Sequence, residues 1–497
     1  MKESKQATPE EIISDVANGE TKLIKKEKDI KYSANFDGLC DIVLDGKEVK
    51  YLLENGEIAE RVVIEDKVFQ PPSTLDLDYM LPQVSEIIKE SKTHDTVRYD
   101  KQSSDMLLSD TSDSVRGCAS CQSLYKELYN YHKSISELPE DIYLDLLVLF
   151  DFHTYLIERF SFSPILYLFA DKERGKTRTA KGLIYIARRG IMTETLREAN
   201  LIRWSKDHRA TLLFDVKNFP RKLETTQSED LIYGRAEKGV IASRVLFPEK
   251  GAFRDTVRFE VFGPTIVTSN KMIDDVGMSR TILLEMKPSE KVFMFEPTPE
   301  NALPLKTKLY GMRLAHFNDS FAQVEKEETG RIEDMLMGYK SLILTLFPDT
   351  LKTYYKLKKI IKGQKIENAL DSFEAQLLQI IIENGIAVEE GTLCMTFDFI
   401  CSVYNEGKPE KWHLSPQSLS KSLKGMGFTS KKNSTGNKRG IFYDTTLINK
   451  LKKIYGLEDL EGHPRQVSDS ADTANTQAQT EEKSGLTDEE IRSLFNT

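Results

Sequence analysis

PILYLFADKERGKT, Pro164–Thr177, is the stretch on which the reading of this chain turns. Ile165–Phe169 is short, apolar and β-prone, the pattern of a strand buried on both faces. It runs into the loop ADKERGKT (Ala170–Thr177), after which Thr177–Arg188 reads as a helix. Strand, loop and helix in that order aim backbone N–H groups and a positive helix N-terminus at one point, where they can hold phosphate. Lys176 is placed to reach the outer phosphates, and the Thr177 hydroxyl to ligate Mg²⁺. Ala170, Arg174, Gly175, Lys176 and Thr177 are therefore the candidate nucleotide-binding residues, with ATP and Mg²⁺ the expected cofactors. Ala170 stands where such loops carry their first glycine; alanine accepts most loop conformations except positive φ.

Working outward, three more apolar runs read as buried strands: Ala210–Phe214, Gly263–Ser269 and Thr281–Met286. Their alternation with helices indicates a parallel sheet covered on both faces. RATLLFD (Arg209–Asp215) ends in Asp215, an acid suited to holding Mg²⁺ through water. ATPases of this kind usually follow that acid with a glutamate that polarises the attacking water, and here the next residue is Val216. Glu224 and Glu237 are candidates for the missing base, although neither is adjacent. PTIVTSN (Pro264–Asn270) ends in Thr268, Ser269 and Asn270, which could orient that water or sense the γ-phosphate; a strand leading into an Asn turn is the plainer alternative. Arg280 precedes the fourth strand. A guanidinium suits the charge of a transferring phosphoryl group, and in a ring of subunits Arg280 could reach a neighbour's nucleotide. A surface ion pair is its other reading.

With 497 residues the chain has room for two to four domains. Residues 1–92 read as a small β-containing α+β domain, with a hairpin in CDIVLDGKEVKYLL (Cys40–Leu53) about Asp45-Gly46 and a strand pair in Val62–Pro72. Residues 93–115 are rich in Ser and Asp and read as a linker, 116–161 as a helical lead-in, 162–300 as the P-loop core and 301–368 as an amphipathic helical segment. Residues 458–497 read as a disordered tail. Its end, LTDEEIRSLFNT, carries a capping box (Thr487, Glu490) before Ile491, Leu494 and Phe495, a docking helix for other replication proteins or a frayed end. A polar N-terminus and the absence of a long apolar run give the expectation of a soluble, cytoplasmic protein without membrane contact.

Net charge is −9, so any nucleic-acid contact must come from a local patch. Residues 369–457 supply one. Three helices and a glycine-tipped hairpin, KKNSTGNKRGIFYD, read as a winged helix. From Lys411 to Lys453 ten basic residues face a single acid, Asp444. Lys421, Lys424, Lys431, Lys432, Lys438 and Arg439 are the DNA-contact candidates there, on the third helix and the wing; packing on another protein is the alternative.

The cysteines Cys40, Cys118, Cys121, Cys394 and Cys401 are few and odd in number, which argues against a disulfide scaffold. Cys118 and Cys121 have the spacing of half a zinc site. With no second such pair, and with only His132 and Cys40 as conceivable completions, they read as ordinary cysteines at a helix edge.

Across about a third of the chain, from Leu138 to Lys287, the sequence resembles the AAA+ type ATPase domain of replication proteins carried by plasmids, phages and integrated mobile elements, close in organisation to viral replicative helicases. The matching runs are PILYLFADKERGKT, TLLFDVKNF (Thr211–Phe219), YGRAEKGVIASR (Tyr233–Arg244), RFEVFGPTIVTSNK (Arg258–Lys271) and MSRTILLEM (Met278–Met286). The resemblance implies an AAA+-like α/β P-loop core. It makes Lys176 and Thr177 phosphate and Mg²⁺ ligands, Asp215 the second Mg²⁺ partner, Asn270 the sensor and Arg280 the arginine finger. YGRAEKGVIASR would face a central channel, with Arg235, Lys238 and Arg244 contacting DNA. Ala170 and Val216 depart from the pattern. The expected function is a helicase-like ATP-dependent DNA motor in replication of a mobile element, working as a homo-oligomeric ring on single-stranded or forked DNA. The alternative is a nucleotide-gated DNA-binding switch with little or no turnover.

Overall fold

The computed structural model describes residues 30–65, 67–94, 117–171, 173–245, 249, 251, 256–289, 291–370, 372–385, 393–432, 439–442 and 444–457. The chain divides into two compact units, Met1–Lys358 and Lys359–Thr497.

After a short strand, Ile30–Tyr32, the first unit forms a β-hairpin, β1 (Leu39–Asp45) and β2 (Glu48–Leu53), with Asp45 opposite Glu48. Gly46 takes φ +63° at the turn, a conformation that glycine adopts without a steric penalty. The expected second strand pair is also present, Val62–Ile64 against Lys67–Gln70. Helix α1 (Val84–Ser91) follows, then α2 (Ala119–Ile135) and α3 (Ile142–Tyr155). From Leu146 to Tyr155 every residue of α3 is buried, because its apolar residues run around the whole helix.

The central layer follows as β3 (Ile165–Phe169), α4 (Lys176–Ile186), β4 (Gly190–Thr193), α5 (Glu198–Lys206), β5 (Thr211–Asp215) and α6 (Phe219–Thr226). Next come an antiparallel pair, β6 (Ile241–Val245) with β7 (Thr256–Glu260), and then β8 (Thr265–Ser269) and β9 (Thr281–Glu285). Helices α7 (Pro299–His316) and α8 (Arg331–Leu346) complete this part of the chain. Five strands form one parallel sheet in the order β9-β3-β8-β5-β4. Their carboxyl ends share one edge, and β8 lies between the strand that feeds the phosphate loop and the strand that ends in Asp215. The core is thus an α/β P-loop-type sheet.

One detail differs from the sequence reading. Gly190–Thr193 is a strand that the pattern did not reveal, four residues being too few to show a period. YGRAEKGVIASR is a helix end and a turn leading into β6, which pairs with β7.

The N-terminal β elements, read from sequence as a domain of their own, share the first compact unit with the core. Asp41 on β1 is buried, and its carboxylate accepts from Arg188 Nε at 2.5 Å and Arg189 Nε at 2.8 Å. Arg313 on α7 lies 3.4 Å from Asp41 and 2.9 Å from Glu158. Burial works against the Asp41 charge, but the guanidiniums of Arg188, Arg189 and Arg313 outweigh it and hold this carboxyl below its usual pKa.

The second unit contains α9 (Phe373–Asn384), β10 (Leu393–Thr396), α10 (Phe397–Asn405), α11 (Pro416–Gly425), β11 (Ser430–Lys432), β12 (Arg439–Phe442) and α12 (Thr445–Tyr455). Its strands form an antiparallel sheet in the order β10-β12-β11. Leu377, Ile381, Ile400, Leu419, Leu423 and Ile441 share its apolar core. As the sequence suggested, Ser415 caps α11, accepting from the Ser418 N–H at 3.3 Å, with Pro416 in the first turn. Most of the linker, the hairpin tip with Lys438 and the whole 458–497 tail lie outside the described residues. Among the described residues no helix is long and apolar enough to cross a membrane.

Candidate nucleotide site

Strand β3 delivers the chain into the loop, and α4 begins at Lys176. Gly175 precedes the helix at φ +75°, where a side chain would strain the backbone, and Glu173 beside it also takes a positive φ of 62°. Ala170 is not among the positive-φ residues, so its methyl group fits here without strain. Arg174 pairs with Asp171 at 3.5 Å across the loop. The Lys176 ammonium donates to the carbonyl oxygens of Ala170 and Asp171 at the loop mouth. Partial burial draws its pKa below the usual amine value, against the pull of Asp171 and Asp215.

Asp215 closes the site from the next-but-one strand. Thr177 Oγ1 lies 3.4 Å from Asp215 Oδ1, and the Thr268 hydroxyl donates to the same oxygen. A hydroxyl and a carboxylate facing each other are hard oxygen donors, and they fit Mg²⁺ with water filling the remaining positions. Asn270 follows β8 into the same cleft, where its buried Oδ1 has no hydrogen-bond partner among the described residues. Buried polar atoms are almost always paired, so this oxygen is available to a bound group.

Lys176, Thr177, Asp215, Thr268 and Asn270 line a cleft of about 730 Å³, while Ala170, Arg174 and Gly175 are not in its lining. Glu173, Glu194, Lys217, Asn218, Arg221 and Lys222 complete its polar wall. None of these six was anticipated as a site residue. Glu194 immediately follows β4, whose last residue Thr193 pairs with Phe214, so Glu194 comes level with Asp215 at the carboxyl edge. Val216 is buried in the apolar cluster that also holds Phe214 and Phe219. The position after Asp215 therefore serves packing and cannot supply a base. Neither expected substitute reaches the cleft. Glu237 bridges to Phe162, ahead of the first residue of β3, at the opposite edge of the sheet; Glu224 is exposed on α6 outside the lining.

Arg280 also lies at that opposite edge. Its carbonyl accepts from the N–H of Ile165, the first residue of β3, and its guanidinium donates to Val276 O at 2.9 Å and Ser279 Oγ at 3.2 Å. The length of β3 separates it from the loop of its own chain.

The three residues expected in a channel have unlike surroundings. Arg235 is fully buried and not at a DNA-facing surface, which corrects the expectation. Its guanidinium donates to Thr265 Oγ1 at 2.8 Å, Ala210 O at 2.8 Å and Pro264 O at 2.9 Å. A Cβ on Gly263 would lie 2.9 Å from its Nη2, so the glycine makes room for this brace. Arg244 on β6 is held by the carboxylates of Glu198 and Asp230. Lys238 is exposed, and its ammonium donates to Glu158 O at 3.1 Å. In the second unit Lys421 and Lys424 are exposed on α11, as are Lys431 and Lys432 on β11 and Arg439 on β12.

No family model matches the chain, and no curated protein matches it. Among solved structures the chain is similar to the NrS-1 C-terminal region, at 9% identity over 82% of this chain and 96% of that one, with a TM-score of 0.33. It is similar to a structure described as SCCmec type IV Cch, an active helicase, at 12% identity over 86% and 80% of the two chains, TM-score 0.33. JCV helicase is matched at 13% identity over 52% of this chain and 64% of that one, TM-score 0.23.

Proposed function

We propose that this chain is an ATP-dependent DNA motor, helicase-like in its core. The observation that carries the proposal is the convergence of Lys176, Thr177, Asp215 and Asn270 on one cleft at the carboxyl edge of a parallel sheet. In this reading the loop N–H groups and Lys176 bind the phosphates. Thr177 and Asp215 hold Mg²⁺, which would neutralise charge on the β- and γ-phosphates when bound. Glu194 takes the role that Val216 cannot, accepting a proton from the attacking water, and the free Asn270 oxygen positions that water. Arg280, remote from its own loop, serves a neighbouring subunit, which makes the working form a ring. In the second unit, helix, strand, two helices and a hairpin support a winged helix, with Lys421, Lys424, Lys431, Lys432 and Arg439 toward DNA. Action in replication of a mobile element rests on the sequence resemblance.

The test is steady-state ATP turnover with and without single-stranded DNA, in the native chain and in Lys176→Ala. Turnover that DNA stimulates and that falls at least about 10²-fold in the variant is the expected result. Buried Val216 favours one other reading, a nucleotide-gated DNA-binding switch. Tight ATP binding without turnover in either condition would replace the motor with it.

A further inference from the structure

A second cluster of chemically capable side chains lies away from the nucleotide cleft. His94 stands three residues past the end of α1, Cys118 caps the start of α2, Cys121 lies in the first turn of α2, and His316 ends α7. All four are buried, and one ligand atom from each falls within 4.8 Å of every other. We propose that His94, Cys118, Cys121 and His316 hold a structural zinc ion.

Three of the six spacings among these atoms match the edges of a zinc tetrahedron, and all six fall within 4.8 Å. Zinc bonds sulfur at about 2.3 Å and imidazole nitrogen at about 2.0–2.1 Å, so a sulfur–nitrogen edge of the tetrahedron is about 3.5 Å. Cys121 Sγ lies 3.5 Å from His94 Nδ1 and 3.5 Å from His316 Nε2, and Cys118 Sγ lies 3.7 Å from His94 Nδ1. Two thiols and two imidazoles form a soft donor set that suits zinc better than Mg²⁺ or Ca²⁺.

The surroundings are arranged for the same task. Asp319 Oδ2 lies 2.7 Å from His316 Nδ1, the outer-shell carboxylate that commonly fixes a ligating imidazole. With the proton on Nδ1, the Nε2 lone pair faces the sulfurs. The N–H of Cys121 donates to Cys118 Sγ at 3.3 Å, and Ser120 Oγ lies 3.1 Å from that sulfur. The same hydroxyl lies 2.8 Å from His94 Nδ1, a hydrogen bond that zinc would replace, leaving the hydroxyl to donate to the Cys118 thiolate. Backbone packing fixes the pair from outside: the Cys118 N–H donates to Leu346 O at 3.0 Å. Four protein ligands and full burial leave no open coordination position, so the site is structural rather than catalytic. It would fasten together the ends of α1, α2 and α7, segments that are far apart in sequence.

Neither completion weighed from the sequence takes part. His132 Nε2 is paired with buried Asp151 at 2.7 Å, and Cys40 sits in β1 beside the Asp41 cluster. Chain order hid the true partners, since His316 lies 195 residues beyond Cys121.

The test uses the full chain, expressed without a polyhistidine tag and purified without chelator, with metal measured by mass spectrometry and thiols by titration. About one zinc per chain is expected, released when both thiols are modified. Cobalt exchanged into the native chain should give the sulfur-to-metal charge-transfer and d–d bands of a tetrahedral thiolate site, a readout that does not require any variant to fold. Asp319→Asn should weaken zinc, measured against a competing chelator, by about 10–100-fold. Cys121→Ser should lose it. A folded native chain with reduced thiols and less than about 0.1 zinc per chain overturns the proposal. So does zinc that survives Cys121→Ser, or a cobalt spectrum without the thiolate band. None of these outcomes depends on ATP turnover, so the site stands or falls apart from the motor reading.

Discussion

The two edges of the five-stranded sheet make unlike use of their polar residues. At the carboxyl edge Lys176, Asp215 and Asn270 all face one cleft, and the buried oxygen of Asn270 is unpaired among the described residues. At the amino edge Arg235 is locked inside by backbone and hydroxyl acceptors, while Arg280 hydrogen-bonds its own helical turn. Strand β3 spans the two edges, a distance of about 15 Å at 3.3 Å per residue. A single chain thus presents its candidate phosphate site on one side and carries its candidate arginine finger on the other. That separation makes sense if the amino edge of one subunit meets the carboxyl edge of the next.

The largest effect expected from this contrast is at Arg280. Arg280→Ala should retain ATP binding and lose about 10³-fold in turnover, the scale of an arginine finger. Mixing gives the sharper test. Lys176→Ala chains keep a sound Arg280, and Arg280→Ala chains keep a sound loop, so mixed assemblies should recover turnover that neither variant has alone. If mixing recovers nothing while both variants fold and assemble, Arg280 does not act across an interface and the contrast between the edges fails.

Within the carboxyl edge, Glu194→Gln should lower turnover about 10²-fold at unchanged ATP affinity, the size of a lost general base. Glu224→Gln and Glu237→Gln, outside the cleft, should match the native chain. A neutral Glu194→Gln would remove the only base assigned here and turn attention to the switch reading.

The strand–loop–helix placement of Gly175, Lys176 and Thr177 was readable because they stand together between an apolar run and a helix, and local order alone sets their geometry. The positions of Asp215 and Asn270 were readable for a related reason: one ends and the other follows a short apolar strand, and a parallel sheet aligns strand ends. Glu194 was hidden by the brevity of β4, where four residues show no alternation. Arg235 misled because a basic residue between Gly234 and Glu237 looks solvated. Only the fold reveals the carbonyls of Ala210, Val261 and Pro264 converging on it. The same limit applies to Cys118 and Cys121, whose partners come from the ends of other helices.

The smallest effect separates two cations of the expected channel segment. Arg244 already has two carboxylates, Glu198 and Asp230, so giving a phosphate the same guanidinium means breaking those pairs first. Lys238 is exposed and bonded to the neutral carbonyl of Glu158, so a phosphate could take its charge without displacing another acid. Each cation that neutralises a phosphate releases counterions, and its removal lowers the slope of log affinity against log salt by about one. Lys238→Ala should show that change on single-stranded DNA, measured by fluorescence anisotropy across a salt series, while Arg244→Ala leaves the slope as it was. The reverse result would mean that DNA pulls Arg244 away from its carboxylates. The surface around β6 would then be one that rearranges on binding, and the order of its residues in the free chain would no longer tell which of them touch DNA.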